Sequence, residues 1–268
     1  MTIFGNQGVA LITGAGGALG RGIALQFARD GVRRIAGLDL SQNGLAATAK
    51  AVESEVPEIE FLPVTVDISD ERQIADAFRQ VVDRFGRIDY AINNAAIASP
   101  FVTTGDAEVQ DFDRVQNINL KGTWLCEREE LRQMMKQEPL PPMGESSTGR
   151  VPVRGSIVVV ASLLGLRAMP LDGLYTISKH GILGMVRTDG VDYATKGIRI
   201  NAICPGFIDT PLVTPPIRKL LQPQIDKTPM GRMANPQEVA DAAVYLASDR
   251  ASYITGTVLS VDGGYNAQ

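Results

Sequence analysis

The 268-residue chain has 44% hydrophobic and 21% charged residues, the composition of an ordinary globular protein with a sizeable core, which excludes disorder. Its 27 glycines follow no three-residue period, so a collagen-like assembly is excluded as well. A net charge of −4 without a basic patch argues against nucleic-acid binding, and no apolar run approaches the ~18 residues of a membrane span.

Short β-type runs alternate with helical patterns along the chain. Val9–Thr13 is continuously apolar, as in a strand buried on both faces, and a helix over Gly20–Asp30 follows with Ile23, Ala24, Phe27 and Ala28 on one side. The spacing then predicts a strand at Arg34–Asp39, a helix at Ala46–Ser54, a strand at Glu60–Val66 and a helix at Glu71–Phe85. A short strand at Tyr90–Asn93 precedes one long helix over Asp111–Met135. Ser156–Ala161 is the next strand, followed by a helix at Tyr175–Tyr193 and a strand at Ile198–Ile203. A helix at Pro236–Ala247 and a strand at Val258–Val261 close the series. This rhythm predicts an α/β fold: one Rossmann-type domain over residues 1–268, a doubly wound sheet of about seven parallel strands with helices on both faces. Two segments interrupt it. Residues 137–154 carry four of the 15 prolines and read as a surface insertion. Residues 210–233 form a second Pro-rich excursion, of a length typical of substrate lids.

The strongest chemical signals lie at the strand ends. The first strand runs into Gly14-Ala15-Gly16-Gly17-Ala18-Leu19-Gly20 and then a helix. Such a turn lets backbone approach a pyrophosphate, whose charge the helix N-terminus stabilises; a tight turn without a ligand is the alternative. Asp39 ends the second strand, where a carboxylate can accept from ribose hydroxyls and repel a 2′-phosphate; a solvated strand end is the plain alternative. With no basic residue at Gly17 or directly after Asp39, NAD is favoured over NADP. Asp67 ends the third strand and either meets an adenine amino group or makes a turn with Ser69. Tyr175 and Lys179 stand at i and i+4 on one helical face, where an ammonium lowers the phenol pKa towards a range useful for proton exchange. His180, the single histidine, has no paired acid or nucleophile, and Cys126 and Cys204 have neither disulfide nor metal spacing. No metal site is expected. Buried thiols and a start without a basic leader region predict a reducing, cytoplasmic setting.

Together these residues resemble the classical short-chain dehydrogenase/reductase (SDR) family over nearly the whole chain. Thr13-Gly14-xxx-Ala18-x-Gly20 is similar to its cofactor turn, and Asn93-Asn94-Ala95-Ala96 to its NNAG motif, with Ala96 for the usual Gly. Asn119, Ser162, Tyr175 and Lys179 fall where the family has its catalytic set; Pro205-Gly206 matches its PG motif, and Tyr253 to Gly264 its C-terminal signature. The resemblance implies that Tyr175 is the general acid/base and that Lys179 tunes it and holds the nicotinamide ribose. It implies that Ser162 holds the substrate oxygen and that Asn119 carries a water to Lys179. It extends the NAD site to Gly14, Gly17, Ala18, Leu19, Gly20, Asp39, Asp67, Ile68, Asn94, Ala95, Tyr175, Lys179, Pro205, Gly206, Ile208 and Thr210. It places Leu163, Leu164, Met169, Phe207 and Leu212 at the substrate. Their apolar character predicts an uncharged, lipophilic secondary alcohol or ketone of terpenoid, steroid-like or polyketide-derived type, as in secondary metabolism. The resemblance also implies a homotetramer, with no nucleic-acid or membrane partner. A non-redox isomerase or cyclase role, or an NAD sensor, is the competing reading; the intact Ser162–Tyr175–Lys179 set opposes it.

Overall fold

The computed structural model describes residues 3–4, 7–141, 152–211 and 213–268; Leu212 and most of the 137–154 insertion therefore lie outside the described residues. Seven parallel strands form one sheet in the order β3-β2-β1-β4-β5-β6-β7. They are β1 Val9–Thr13, β2 Arg34–Asp39, β3 Glu60–Thr65, β4 Tyr90–Asn93, β5 Gly155–Val160, β6 Ile198–Pro205 and β7 Val258–Val261. The helices are α1 Ala18–Arg29, α2 Gln42–Glu55, α3 Glu71–Phe85, α4 Val109–Gln116, α5 Thr123–Met134, α6 Gly173–Asp192, α7 Pro215–Ile225 and α8 Pro236–Ala247. Strand alternation sends Val9 and Leu11 into a core with residues of α3, α5 and α6, while Ala10 and Ile12 face a second core with α1, α2 and α8. Both faces are thus covered, which is why β1 and β5 are buried throughout and mostly apolar.

Strand order reverses direction between β1 and β4. In such sheets the crevice outside the carboxyl ends of the strands at this switch point is where a ligand binds. Thr13, Asp39, Asn93 and Pro205 all end strands.

Two sequence expectations change. The long helix over 111–135 is α4 and α5 separated by a π-helical turn, Asn117–Gly122. A Cβ on Gly122 would come within 2.8 Å of the Ile68 carbonyl, so this turn passes directly against the end of β3. Hydrophobic periodicity does not register one widened turn. The excursion at 210–233 contains α7, with prolines in its first turn and Pro223 inside it. Proline is compatible with the first helical turn because those N–H groups have no intrahelical acceptor. Residues 137–141 and 152–154 anchor the insertion: Leu140 pairs with Val153, and buried Gln137 donates to the Ile88 and Arg154 carbonyls at 2.7 and 2.8 Å.

Glu130, on α5, is fully buried, with Asn93 Nδ2 donating to its Oε2 at 2.8 Å. Burial pushes its carboxyl up to about 8. Between the unfolded carboxylate range near 4.3 and about pH 8 the folded state holds the extra proton, so stability falls as pH rises through that window. Glu130→Gln keeps an acceptor for Asn93 and is expected to gain about 2–4 kcal/mol relative to wild type between pH 5 and 8. Urea midpoints at the two pH values check this; an unchanged difference would contradict it.

Candidate active site

The glycine turn is shaped by contacts that leave no room for side chains. Gly14 has φ +67°, in the left-handed region, and a Cβ there would meet the Ala95 Cα at 2.9 Å. A Cβ on Gly20 would lie 2.2 Å from the Gly14 carbonyl oxygen. The helix start is therefore pressed onto the turn. α1 begins after Gly17 with no side-chain cap, so its first-turn N–H groups remain for an external acceptor. Thr13 Oγ1 accepts from the Asn94 and Ala95 backbone amides at 3.0 and 3.1 Å. Asn94 Nδ2 donates to the Thr13 and Gly14 carbonyls at 3.1 and 3.2 Å, which joins the ends of β1 and β4 across the switch point.

Asp39 closes the far side of the turn. Its Oδ2 accepts from Gly16 N at 2.9 Å and its Oδ1 from Ser41 N at 2.8 Å. Asp67 Oδ1 accepts from the Ser69 amide and hydroxyl at 2.9 and 2.7 Å, the local turn that the sequence offered as an alternative. Arg21 was not singled out by sequence because it follows the glycine pattern rather than standing within it. It lines the same crevice, with Nε on Thr48 Oγ1 at 3.2 Å and Nη2 on the Gly16 carbonyl at 3.4 Å.

Ser162, Tyr175 and Lys179 meet beyond the ends of β5 and β6. Ser162 follows β5 in an extended conformation and accepts from Leu164 N at 3.1 Å. Its hydroxyl lies against the Tyr175 phenol. Lys179 is 2% exposed; its Nζ donates to the Val160 carbonyl at 2.9 Å and stands 5.4 Å from the centroid of the Tyr175 ring. Burial lowers Lys179 to about 8. It raises the Tyr175 phenol above its ordinary value, with Ser162 opposing the rise and Asp172 adding to it. This corrects the expectation of a Lys-depressed phenol. The pair is buried, and burial penalises phenolate and ammonium alike.

Asn119 is fully buried behind this cluster. Its side chain is engaged by protein: Oδ1 accepts from Ile97 N at 2.8 Å, and Nδ2 donates to the Ile97 carbonyl and to Ser178 Oγ at 2.9 and 3.4 Å. It pins the segment after β4 against α6, and the π-helical turn delivers it there.

A cavity of about 730 Å³ joins these parts. It is lined by Ser162, Tyr175 and Lys179 and by Gly14, Gly17, Ala18, Leu19, Gly20, Asp39, Asp67, Ile68, Asn94, Ala95, Pro205, Gly206, Ile208 and Thr210. Asn119 lies behind its wall. Leu163, Leu164, Met169 and Phe207, expected at the substrate, pack with Tyr175 around Tyr265 and do not line this cavity. The short helical turn at Leu163–Gly165 buries both leucines there. Leu212 falls outside the described residues.

A family model described as enoyl-(acyl carrier protein) reductase matches residues 14–266. The short-chain dehydrogenase fogB of Aspergillus ruber is 38% identical, covering 98% of this chain and 97% of its own. The chain belongs to the short-chain dehydrogenase/reductase family. Levodione reductase of Leifsonia aquatica is 36% identical over 97% of this chain and 94% of its own. A crystal structure of levodione reductase superposes with a TM-score of 0.89 at 35% identity, covering 98% of this chain and 99% of that one. A 3-ketoacyl-(acyl-carrier-protein) reductase from Brucella melitensis, solved with NADH, gives a TM-score of 0.82 at 31% identity, over 96% and 98% of the two chains.

In this short-chain dehydrogenase/reductase, the cavity wall facing Tyr175 is built by Ile97, Ala98, Ser99, Phe101, Ile118 and Asp172. Ser99 and Asp172 carry no sequence signature, since only the fold brings the β4–α4 loop against the start of α6. Tyr265 was likewise hidden in the C-terminal signature. It packs edge-on to Phe207, its hydroxyl donates to Gln224 of α7 at 2.9 Å, and Arg167 stacks on its ring. The cations of residues 210–233 are mostly engaged locally: Arg218 with Asp209, Arg232 with Glu238, and Lys227 with Gln224. His180 is exposed and bonded to the Thr176 carbonyl; both cysteines are free and buried. No helix of the described residues is long and apolar enough to cross a membrane, and no group of His, Cys, Asp and Glu among them is arranged to hold a metal.

Proposed function

We propose that the protein interconverts a secondary alcohol and a ketone with NAD as the redox partner. The carrying observation is one cavity that joins an uncapped helix N-terminus behind a glycine turn to the half-buried Ser162 and Tyr175 and the buried Lys179. The turn fits a pyrophosphate: Gly14 and Gly20 allow its approach, and the first-turn amides of α1 are left for its oxygens. Gly17, Ala18 and Leu19 would hold the phosphates, Asp39 the adenosine ribose, Asp67 and Ile68 the adenine, and Asn94 and Ala95 the middle of the molecule. Lys179, Pro205, Gly206, Ile208 and Thr210 would hold the nicotinamide end. When bound, NAD supplies the acceptor and donor of hydride.

The protein's own residues manage the proton and the substrate oxygen. Ser162 donates to that oxygen and orients it toward Tyr175. Tyr175 gives its proton to the oxygen in reduction and takes it back in oxidation. Lys179, fixed by the Val160 carbonyl, places positive charge beside the phenol. Asn119 acts as a positioning residue through Ile97.

NAD is preferred over NADP in this proposal because the Asp39 carboxylate stands where a 2′-phosphate would fall; Arg21, the nearby cation, is turned onto Thr48 and Gly16. An uncharged, lipophilic substrate is supported by Ile97, Ala98, Phe101 and Ile118 on the cavity wall and by lid cations already engaged. The similarity to levodione reductase agrees with a small-molecule substrate. The same reading includes a cytoplasmic homotetramer, supported by exposed Val109, Phe112, Trp124, Ile177 and Val191 on α4, α5 and α6.

Absorbance at 340 nm, followed with NAD and a panel of cyclic and steroid-like secondary alcohols, tests the activity. Faster ketone reduction with NADPH than alcohol oxidation with NAD would overturn the cofactor and direction; tight NAD binding with no turnover would favour the sensor reading. Because burial holds Tyr175 protonated, oxidation is expected to speed up as pH rises from 7 to 10. Ketone reduction is expected to slow above about pH 8, where Lys179 loses its charge. Parallel initial-rate profiles check both limbs, and an oxidation rate independent of pH would contradict the assignment of Tyr175.

A further inference from the structure

Five helices begin at a residue whose side chain could satisfy their first amides: Ser41, Asp70, Asp172, Thr214 and Asn235. Ser41, Asp70 and Asn235 do so, and Thr214 does not. Asp172, at the start of the catalytic helix α6, does not: its backbone is at φ −121°, ψ 40° and its carboxylate accepts no amide of that helix. It turns toward Ser99, whose hydroxyl donates to Oδ1 at 2.5 Å. A backbone bridge between Val102 and Asp172 fixes the two segments together.

Ser99 and Asp172 are each 7% exposed, and both line the cavity shared with Tyr175. Oδ2 of Asp172 has no donor among the described residues, yet it is not one of the sealed, unpartnered buried atoms; it therefore opens onto the cavity. No Lys or Arg of the described residues offsets the charge. Burial raises this carboxyl while Ser99 opposes the rise. A carboxyl forgoing its cap to face a mostly apolar wall is costly unless it gains a partner there. Asp172 precedes Tyr175 by three residues, an axial rise of about 4.5 Å in a helix.

Resting on the alcohol–ketone reading above, we infer that Asp172, oriented by Ser99, is a specificity-determining residue whose free oxygen accepts a hydrogen bond from a second hydroxyl on the substrate, a few carbons from the reacting carbon. The substrate class is thus a hydroxyketone or diol on a lipophilic frame, and an anionic group at the same place is rejected by like charge.

The test uses paired probes, 4-hydroxycyclohexanone against 4-methylcyclohexanone, with the full-length NADH-loaded protein. Dissociation constants from calorimetry and kcat/KM from absorbance at 340 nm are measured for wild type, Asp172→Ala, Asp172→Asn and Ser99→Ala. Wild type is expected to favour the hydroxylated probe at least tenfold in affinity, Asp172→Ala to erase the preference, and Asp172→Asn and Ser99→Ala to retain part of it. Each preference is a ratio within one protein, so partial loss of folded material cancels. Equal affinities in wild type, no measurable affinity for either probe, or an unchanged ratio in Asp172→Ala overturns the inference. Discriminating binding without any hydride transfer would instead uphold the role of Asp172 and count against the redox reading alone.

Discussion

Tyr175→Phe is expected to lower kcat by about 10²–10⁴-fold, the range attributable to one positioned acid/base, while leaving NADH affinity within a few-fold of wild type. Phenylalanine keeps the half-buried ring against Leu163, Leu164 and Tyr265, and Lys179 keeps its bond to the Val160 carbonyl, so the surrounding packing persists. What disappears is the hydroxyl that lies against Ser162 and exchanges the proton. Stopped-flow or steady-state turnover together with NADH fluorescence titration reads the two effects separately. Unchanged turnover would remove Tyr175 from the chemistry. A joint collapse of turnover and cofactor affinity would point to a folding defect.

The second large effect is expected from Asp39→Ala. The carboxylate accepts from Gly16 and Ser41 amides and so shapes the turn as well as presenting negative charge. A hydrogen bond to a charged group contributes about 1.5–3 kcal/mol. NAD affinity is accordingly expected to weaken by about tenfold to a hundredfold, and the preference of NAD over NADP to narrow by at least as much. Removing the charge also leaves Arg21 as the remaining ion of this corner, free to leave Thr48 and meet a 2′-phosphate. In the double variant Asp39→Ala with Arg21→Ala, the relative gain for NADP is expected to vanish. Titration of both cofactors against wild type and the two variants checks this; an unchanged NAD affinity in Asp39→Ala would exclude the residue from the site.

The phosphate turn and the Tyr175–Lys179 pair were legible because their chemistry is local. Gly14 to Gly20 is one uninterrupted segment, and the pair is separated by a single helical turn. Strand ends were equally readable: Asp39 and Asn93 close apolar runs whose length alone bounds a strand. Asn119 was found by its motif, but the widened turn that aims it at Ile97 leaves no trace in hydrophobic periodicity. The substrate wall was the least legible part. Leu163 and Leu164 adjoin Ser162 in sequence, yet a three-residue helical turn sends them to Tyr265, far along the chain.

By itself the sequence determined the layered sheet, its buried parallel strands, the glycine turn and the placing of Tyr175 and Lys179 on one helical face. Period-two and helical patterning, and residues adjacent along the chain, carry those features without long-range contacts. Only the tertiary structure decided that burial raises the Tyr175 phenol and lowers Lys179 to about 8, since desolvation depends on what the whole fold packs around a group. Only the tertiary structure brought Ser99 from the loop after β4 to Asp172 at the start of α6, turning that carboxylate from a helix cap into part of the cavity wall.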